Sequence, residues 1–85
     1  MATTYYRVIT ITNGSQIDFC EYEAALDLDY EPENHVRRGN SGREYHFDWF
    51  RSEFAAKKFA DFVWHMRYIA PDEFMKIKTR YQLAE

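Results

Sequence analysis

The sequence predicts an α+β domain: a four-stranded, mainly antiparallel sheet with one amphipathic helix packed on one face. Four segments alternate apolar and polar side chains with the two-residue period of a strand, and one segment repeats its apolar residues with the period of a helix. Their order along the chain is β-β-β-α-β. Eighty-five residues, 19% of them aromatic, suffice for one small core, so we expect a single domain over residues 1–85.

The first predicted hairpin lies near the start of the chain. Residues 4–12 are dense in β-branched and aromatic side chains, which favour a strand. Asn13-Gly14 follows, and this pair tolerates the positive φ angles of a type I′ turn. A second strand should therefore begin at Ser15 or Gln16.

The second predicted strand continues to Tyr30 and contains a change of phase. Its apolar residues stand at odd positions up to Phe19 and at even positions afterwards. Strand side chains alternate strictly, so the change requires a one-residue slip, as in a β-bulge, near Cys20-Glu21. A short helix over residues 21–29 is the competing interpretation. We favour the strand because the alternation after the slip is complete.

The second half of the chain contains a loop, a strand, a helix and a final strand. Residues 31–43 are rich in Pro, Gly and polar residues, which predicts an exposed loop. Residues 44–50 alternate as a strand does, and Ser52 is a good N-cap for the helix that follows. Pro71 should end that helix. Residues 73–83 alternate again and are predicted to form the last strand.

The aromatic and apolar residues of these elements suggest which side chains form the core. Segment 44–50 places three aromatic rings on one side, and we assign those rings to the core: Tyr45, Phe47 and Trp49. At 100° per residue the predicted helix has one apolar face: Ala55, Phe59, Phe62, Val63, Met66 and Ile69.

The charges are unevenly distributed along the chain. The net charge of −3 argues against a general binder of nucleic acids or anionic membranes, which would need a basic excess. Residues 16–33 nevertheless contain seven acidic side chains and no Lys or Arg. Residues 34–43 contain Arg37, Arg38 and Arg43 and no acid. The chain therefore combines a near-neutral body with one concentrated acidic segment.

The acidic segment is the first candidate binding surface. If it is extended, alternate side chains point the same way about 6.6–6.8 Å apart, which is similar to the spacing of phosphates along a nucleic-acid strand. Such a row could occupy a Lys/Arg-lined channel as a decoy. The alternative is that the row pairs with the basic row of the predicted last strand, Lys76, Lys78 and Arg80. The candidate residues are Glu21, Glu23, Asp27, Asp29 and Glu31, continued by Glu33.

Two aromatic residues of the predicted helix are the second candidate. Trp64 and Tyr68 fall about 160–200° from the apolar face, in a sector that also contains charged residues. Large aromatic side chains beside charges on the outer side of a helix are typical of interface anchors. The alternative is that they pack under the loop of residues 31–43 or against a strand edge.

Residues that could perform catalysis are few and do not form a known pattern. His35, His46 and His65 lie in a loop, a strand and a helix, and together with the single Cys20 they have no metal-ligand spacing. A pair of Cys20 with one histidine could act as nucleophile and base, but a small half-buried thiol is the simpler interpretation. We therefore expect no enzymatic activity, no catalytic residues, no bound metal and no cofactor.

The compartment follows from cysteine usage and hydropathy. One cysteine cannot form an internal disulfide, no signal-peptide pattern is present, and no apolar run approaches the ~20 residues of a membrane span. These features predict a reducing, cytoplasmic compartment and no membrane partner.

In size, single-domain organisation and localised acidic row, the sequence resembles phage-encoded inhibitors of host nucleic-acid machinery, anti-CRISPR proteins among them. The resemblance is one of design and not of motif. It implies a non-enzymatic inhibitor or adaptor that docks on a larger protein or nucleoprotein complex with a Lys/Arg-rich surface, with a homodimer as a further option. The alternative function is a small nucleic-acid-binding module that uses the basic residues Arg37, Arg38, Arg43, Lys76, Lys78 and Arg80.

Overall fold

The computed structural model describes residues 2–83 as a four-stranded antiparallel sheet and two helices. The α+β class and the four-stranded sheet are confirmed, whereas the predicted element order is wrong, because the chain runs β-β-β-β-α-α. Neither helix in the described part of the chain is long and apolar enough to span a membrane. The elements are β1 (Thr3–Asn13), β2 (Gln16–Leu28), β3 (His35–Arg38), β4 (Arg43–Phe50), α1 (Glu53–Met66) and α2 (Pro71–Leu83).

The strand order of the sheet is β2-β1-β4-β3, so β2 and β3 form its edges. All neighbouring strands are antiparallel. The register forms rows of side chains across the sheet: Ile9 of β1 lies opposite Glu21 of β2 and Phe47 of β4, and Phe47 lies opposite His35 of β3. Paired residues on antiparallel strands share a face, so each row belongs to one face of the sheet.

The first hairpin is confirmed, with its turn one residue later than predicted. Asn13 pairs with Gln16, so the two loop residues are Gly14 and Ser15. Of these, only Gly14 has a positive φ, at 62°. This is the pattern of a type II′ turn, whose first central residue is glycine, and not of the predicted type I′ turn.

β2 is a strand, and the competing helix over residues 21–29 is wrong. The predicted bulge near Cys20-Glu21 is replaced by two bulges on either side of it. Pairing with β1 skips Asp18 and then Glu23. The first bulge produces the change of phase, because Ile17 before it and Cys20 after it are both buried.

The predicted loop contains strand β3, and the predicted last strand is helix α2. β3 has four exposed residues, and it forms because β4 offers it a free backbone edge. Pro71 does not end α1, which stops at Met66; it begins α2, where its missing N–H costs nothing. The residues of α2 that face the core have the helical spacing i, i+3, i+4: Phe74, Ile77 and Lys78.

The core lies between the sheet and the two helices. Phe59 of α1 is fully buried, and its ring contacts Phe50 at 5.1 Å, Tyr81 at 5.8 Å and Phe74 at 5.9 Å between ring centroids. Of the predicted helix face, Ala55, Phe59, Val63 and Ile69 are buried. The prediction is wrong for Phe62 and Met66, which are 40% and 50% exposed, because α1 contacts the sheet through a narrower stripe rich in alanine.

The phase of β4 is the reverse of the one predicted. His46, Asp48 and Phe50 face the helices and are buried, while Tyr45, Phe47 and Trp49 lie on the opposite face and are only half-buried. The three rings assigned to the core therefore belong to the sheet face that the helices leave uncovered. We call this the open face.

Candidate partner-binding surface

β2 offers most of its outer edge to solvent. Only its start is covered, where Ile17 donates a backbone hydrogen bond to the Arg67 carbonyl and Ile69 donates one to the Ser15 carbonyl. In the described part of the chain no strand pairs with the rest of this edge. A long uncovered edge strand is a site for contact with another molecule unless charges and bulges protect it, and β2 has both.

The predicted acidic row lies along this edge, but its side chains do not share one face. Glu21 is opposite Ile9 on the open face. Asp27 is opposite Thr4, whose hydroxyl donates a 2.6 Å hydrogen bond to its carboxylate, and this row points to the helix side. The bulge at Glu23 breaks the two-residue period that a single row would need. The prediction of six parallel carboxylates is therefore wrong.

Of the five predicted acids, only Glu23 has a cationic partner in the described part of the chain, while Asp27 accepts a hydrogen bond from the Thr4 hydroxyl. Arg7 donates two hydrogen bonds to the Glu23 carboxylate, at 2.8 and 2.7 Å, and neutralises it. Within residues 2–83, no ion pair involves Glu21, Asp29 or Glu31, all of which are exposed. We use the name acidic edge for the predicted set: Glu21, Glu23, Asp27, Asp29 and Glu31.

The three basic residues that could have paired with the acidic edge do not form a row on a neighbouring strand. Lys76, Lys78 and Arg80 are on helix α2, whose main contacts with the sheet are to β4. Lys76 lies 4.0 Å from Glu73, and Lys78 is buried beside Asp48. The acidic edge therefore keeps its negative surplus.

The two predicted aromatic anchors lie at the beginning of the β2 edge. Trp64 is half-buried, so its assignment to the outer side of the helix is wrong. Its ring contacts Phe19 of β2 edge-on, with 6.2 Å between the ring centroids. The Arg67 guanidinium carbon lies 4.3 Å from the centre of the Trp64 ring. Tyr68 follows α1, is 68% exposed and forms an isolated backbone bridge with Gln16.

We call Phe19, Trp64 and Tyr68 the aromatic cluster. Phe19 and the cation over Trp64 were not singled out by sequence reasoning. The signal that could have found Phe19 is its position just before the change of phase; its pairing with Ile11 places it on the open-face side of this edge. The structure thus places an exposed tyrosine and a cation-covered tryptophan at one end of a strand whose other end is acidic.

The basic residues of the alternative function are largely compensated. Arg43 lies 3.5 Å from Asp18 and Arg38 lies 3.8 Å from Glu44. Arg37 and Arg80 have no ion pair within the described residues. A phosphate would therefore have to compete with carboxylates at most of these cations.

A buried ion pair lies between the sheet and α2. Asp48 of β4 is fully buried and Lys78 is 2% exposed, with 2.9 Å between Oδ1 and Nζ. Burial raises the pKa of Asp48, and the Lys78 ammonium opposes that rise. Oδ2 of Asp48 has no hydrogen-bond partner within residues 2–83. This pair is part of the core between β4 and α2.

Cys20 lies in the same polar layer and is not disposed to react. Its sulfur is 3.2 Å from the Thr10 hydroxyl. Burial raises the pKa of the Cys20 thiol to about 12, so little thiolate forms near neutral pH. The buried-thiol interpretation is the one this environment favours.

His46 lines a surface cavity of about 330 Å³ between β4 and the start of α2. Its Nε2 lies 3.3 Å from the Thr12 hydroxyl and 3.6 Å from a Glu44 oxygen, while Nδ1 has no partner in the described residues. A hydroxyl–histidine–carboxylate relay needs the hydroxyl and the acid on opposite ring nitrogens. Here both approach Nε2. Burial is the larger cause that lowers the pKa of His46, and the positive charge of Lys78 is the second.

Metal ligands do not cluster either: the described residues hold no group of three or more His, Cys, Asp or Glu side chains that could bind an ion. Comparison with models of protein families, with curated proteins and with solved structures gives no match for this chain.

Proposed function

We propose that this protein is a non-enzymatic binding protein that docks on a Lys/Arg-rich surface of a larger protein or nucleoprotein complex. The observation that supports this most is the position of the acidic edge and the aromatic cluster on one strand edge. Carboxylates without cationic partners attract Lys and Arg over several ångströms, and partly buried aromatic rings supply apolar contact area. The aromatic cluster lies at the beginning of β2. The acidic edge follows along the rest of the strand and continues beyond Leu28 to Glu31.

The concrete form that we propose is an inhibitor of nucleic-acid machinery, of the phage-encoded kind to which anti-CRISPR proteins belong. Such a protein needs a negative surface that competes with phosphates and enough contact area to bind specifically. The two bulges of β2 distribute the carboxylates over both sides of the edge, so the proposed mimicry is of charge density along a strand and not of an evenly spaced row. The single cysteine, buried and reduced, supports a cytoplasmic location.

The nucleic-acid-binding alternative has less support. Of its proposed basic residues, Lys78 is buried in an ion pair with Asp48. Most of the exposed ones lie beside a carboxylate: Arg38, Arg43 and Lys76. The open face carries aromatic rings that could stack on bases, but the Arg43 guanidinium near this face contacts Asp18.

The test compares two triple variants with the same change in net charge. The first neutralises acids of the edge that have no ion pair in the described part of the chain, Asp27→Asn, Asp29→Asn and Glu31→Gln. The control neutralises exposed acids on the helices, Asp61→Asn, Asp72→Asn and Glu73→Gln. The partner is captured from a lysate of the source cells with the immobilised protein, identified by mass spectrometry and purified for affinity measurements at several salt concentrations.

The edge variant should bind about tenfold or more weakly and its affinity should depend less on salt, because three attractive charges are lost. The control variant should bind like the unmodified protein. A Tyr68→Ala variant should also bind at least tenfold more weakly, but with unchanged salt dependence. Equal losses in both triple variants, or none in the edge variant, would contradict the proposed surface.

A further inference from the structure

The open face of the sheet is apolar at its centre and is not covered by either helix. Five half-buried side chains of the two central strands form this centre: Ile9, Ile11, Tyr45, Phe47 and Trp49. Both helices pack on the other face, as shown by the contacts of Phe59 with Phe50 and of Phe74 with His46. One layer of helices cannot bury both faces of a sheet.

The charges at the two sides of the open face have opposite signs. In one row Glu21 stands at the β2 side and His35 at the β3 side, with Ile9 and Phe47 between them. The His35 ring is stacked on Phe47, with 6.2 Å between centroids and 24° between planes. In the next row, Arg37 stands at the β3 side. Both Glu21 and Arg37 are exposed and have no ion pair within the described residues.

This pattern is self-complementary. We propose that the open face is the interface of a homodimer in which two copies pack sheet to sheet about a twofold axis parallel to the strands. Such an axis places β2 of one copy over β3 of its partner and keeps the rows aligned. Glu21 then faces the partner's His35 and lies one row away from the partner's Arg37. The same contact is made a second time by symmetry, and the apolar centres face each other.

A second copy is favoured over other occupants because the face supplies both halves of the charge pattern. A nucleic acid would need unpaired cations, yet Arg7 on this face is held by Glu23 and lies over the Trp49 ring at 5.4 Å. Arg43 contacts Asp18. Among the described residues of this face, Glu21 and Arg37 have no ion pair; they are of opposite sign and lie on opposite sides, as an isologous interface requires.

The size of the face sets the expected strength of the dimer. Three strands about 4.8 Å apart over about 26 Å, together with the four residues of β3 over about 13 Å, give roughly 440 Å² per copy. Two copies would bury about 900 Å², which is below the usual range for stable specific interfaces. We therefore expect a reversible dimer with a dissociation constant in the micromolar range.

The dimer goes beyond the proposed function and is measured without any partner molecule. Its interface takes up Glu21 and Phe19, whereas Asp27, Asp29, Glu31 and Tyr68 remain accessible at two symmetry-related edges. Failure of one proposal therefore leaves the other unaffected: loss of the dimer would not remove the acidic edge, and a wrong partner surface would not change self-association.

Sedimentation equilibrium over the micromolar concentration range tests the proposal with a charge exchange. Glu21→Arg and Arg37→Glu each place like charges one row apart across the interface, twice by symmetry, and each should weaken self-association at least tenfold. The double variant should restore it to within a few-fold of the unmodified protein. Arg80→Glu, an equivalent charge reversal on the outer side of α2, should have no effect.

Circular dichroism shows whether each variant is folded, and exposed charge reversals of this kind are not expected to unfold the sheet. A protein that is monomeric at all these concentrations would overturn the proposal. So would a dimer that neither single reversal weakens, or a double variant that dissociates as readily as the single ones.

Discussion

The buried Asp48–Lys78 pair allows the sharpest test of how this small core is stabilised. In the unmodified protein the Lys78 Nζ lies 2.9 Å from Asp48 Oδ1. A Lys78→Met substitution keeps the length of the side chain but leaves the Asp48 carboxylate fully buried without this cation. Removing one partner of a buried ion pair typically costs about 3–5 kcal/mol. Replacing both residues, Asp48→Leu with Lys78→Met, removes the charge to be desolvated and should return the free energy of unfolding to within about 1–2 kcal/mol of the original.

The pH dependence of the single variant follows from the sign of the pKa shift. Burial raises the pKa of Asp48, so the folded state holds its proton more tightly than the unfolded chain does. The stability contribution of such a group is complete below the unfolded pKa of Asp and is lost as pH rises through the folded value. Without Lys78 the rise is larger, so the Lys78→Met protein should be closest to the original near pH 4 and furthest from it at pH 7.

Urea unfolding at both pH values, followed by tryptophan fluorescence and circular dichroism, measures these differences. The proposed role of the pair would be refuted if Lys78→Met were as stable as the original protein at pH 7. It would also be refuted if the double variant were less stable than Lys78→Met, because an apolar pair would then be worse than an unpaired buried carboxylate.

Three further predictions follow from single features of the structure. Cys20, buried and with its pKa raised to about 12, should resist alkylation by iodoacetamide at pH 8 until the chain is unfolded, and rapid stoichiometric labelling of the native protein would contradict this. Gly14→Ala should lower the free energy of unfolding by about 1 kcal/mol, because the φ of 62° is unfavourable for alanine while no atom lies within 4 Å of the added Cβ. Gly14→Asn should lower it less, because asparagine tolerates a positive φ better. Equal losses of stability in the two variants would show that backbone strain is not the cause. Fluorescence anisotropy with labelled single-stranded DNA and RNA at low salt should show no salt-sensitive binding, since most of the proposed cations have carboxylate partners; a steep decrease of affinity with salt would support the nucleic-acid-binding alternative instead.

Parts of the candidate site could be read from the sequence and parts could not. The acidic segment is visible in the order of the residues, and its extended form follows from the alternation after Phe19. Whether those acids are neutralised depends on which strand or helix lies beside them, which is a non-local property. Lys76 and Lys78 could have paired with them only from a neighbouring strand, and the chain places both on α2.

The helix α2 shows why a local pattern can be ambiguous. Residues 73–83 alternate apolar and polar side chains, yet Phe74, Ile77 and Lys78 also fit the spacing of a helix. Pro71 is compatible with the end of one helix or the first turn of another. The ambiguity is resolved by packing, because the Lys78 ammonium of a helix reaches Asp48 and neutralises a charge in the core.

Three elements have local signals and could be predicted from neighbouring residues: the β1–β2 hairpin with its glycine turn, the strand character of β4, and the start of α1 at the Ser52 cap. The buried face of β4 could not be predicted in this way, because both of its faces carry large side chains and Asp48 becomes acceptable inside only beside Lys78, thirty residues further on. The tertiary structure also decided that β3 is a strand, since four exposed residues have no apolar pattern and become ordered through backbone hydrogen bonds to β4. Local signals depend on neighbouring residues, whereas the choice of buried face depends on partners that only the folded chain brings together.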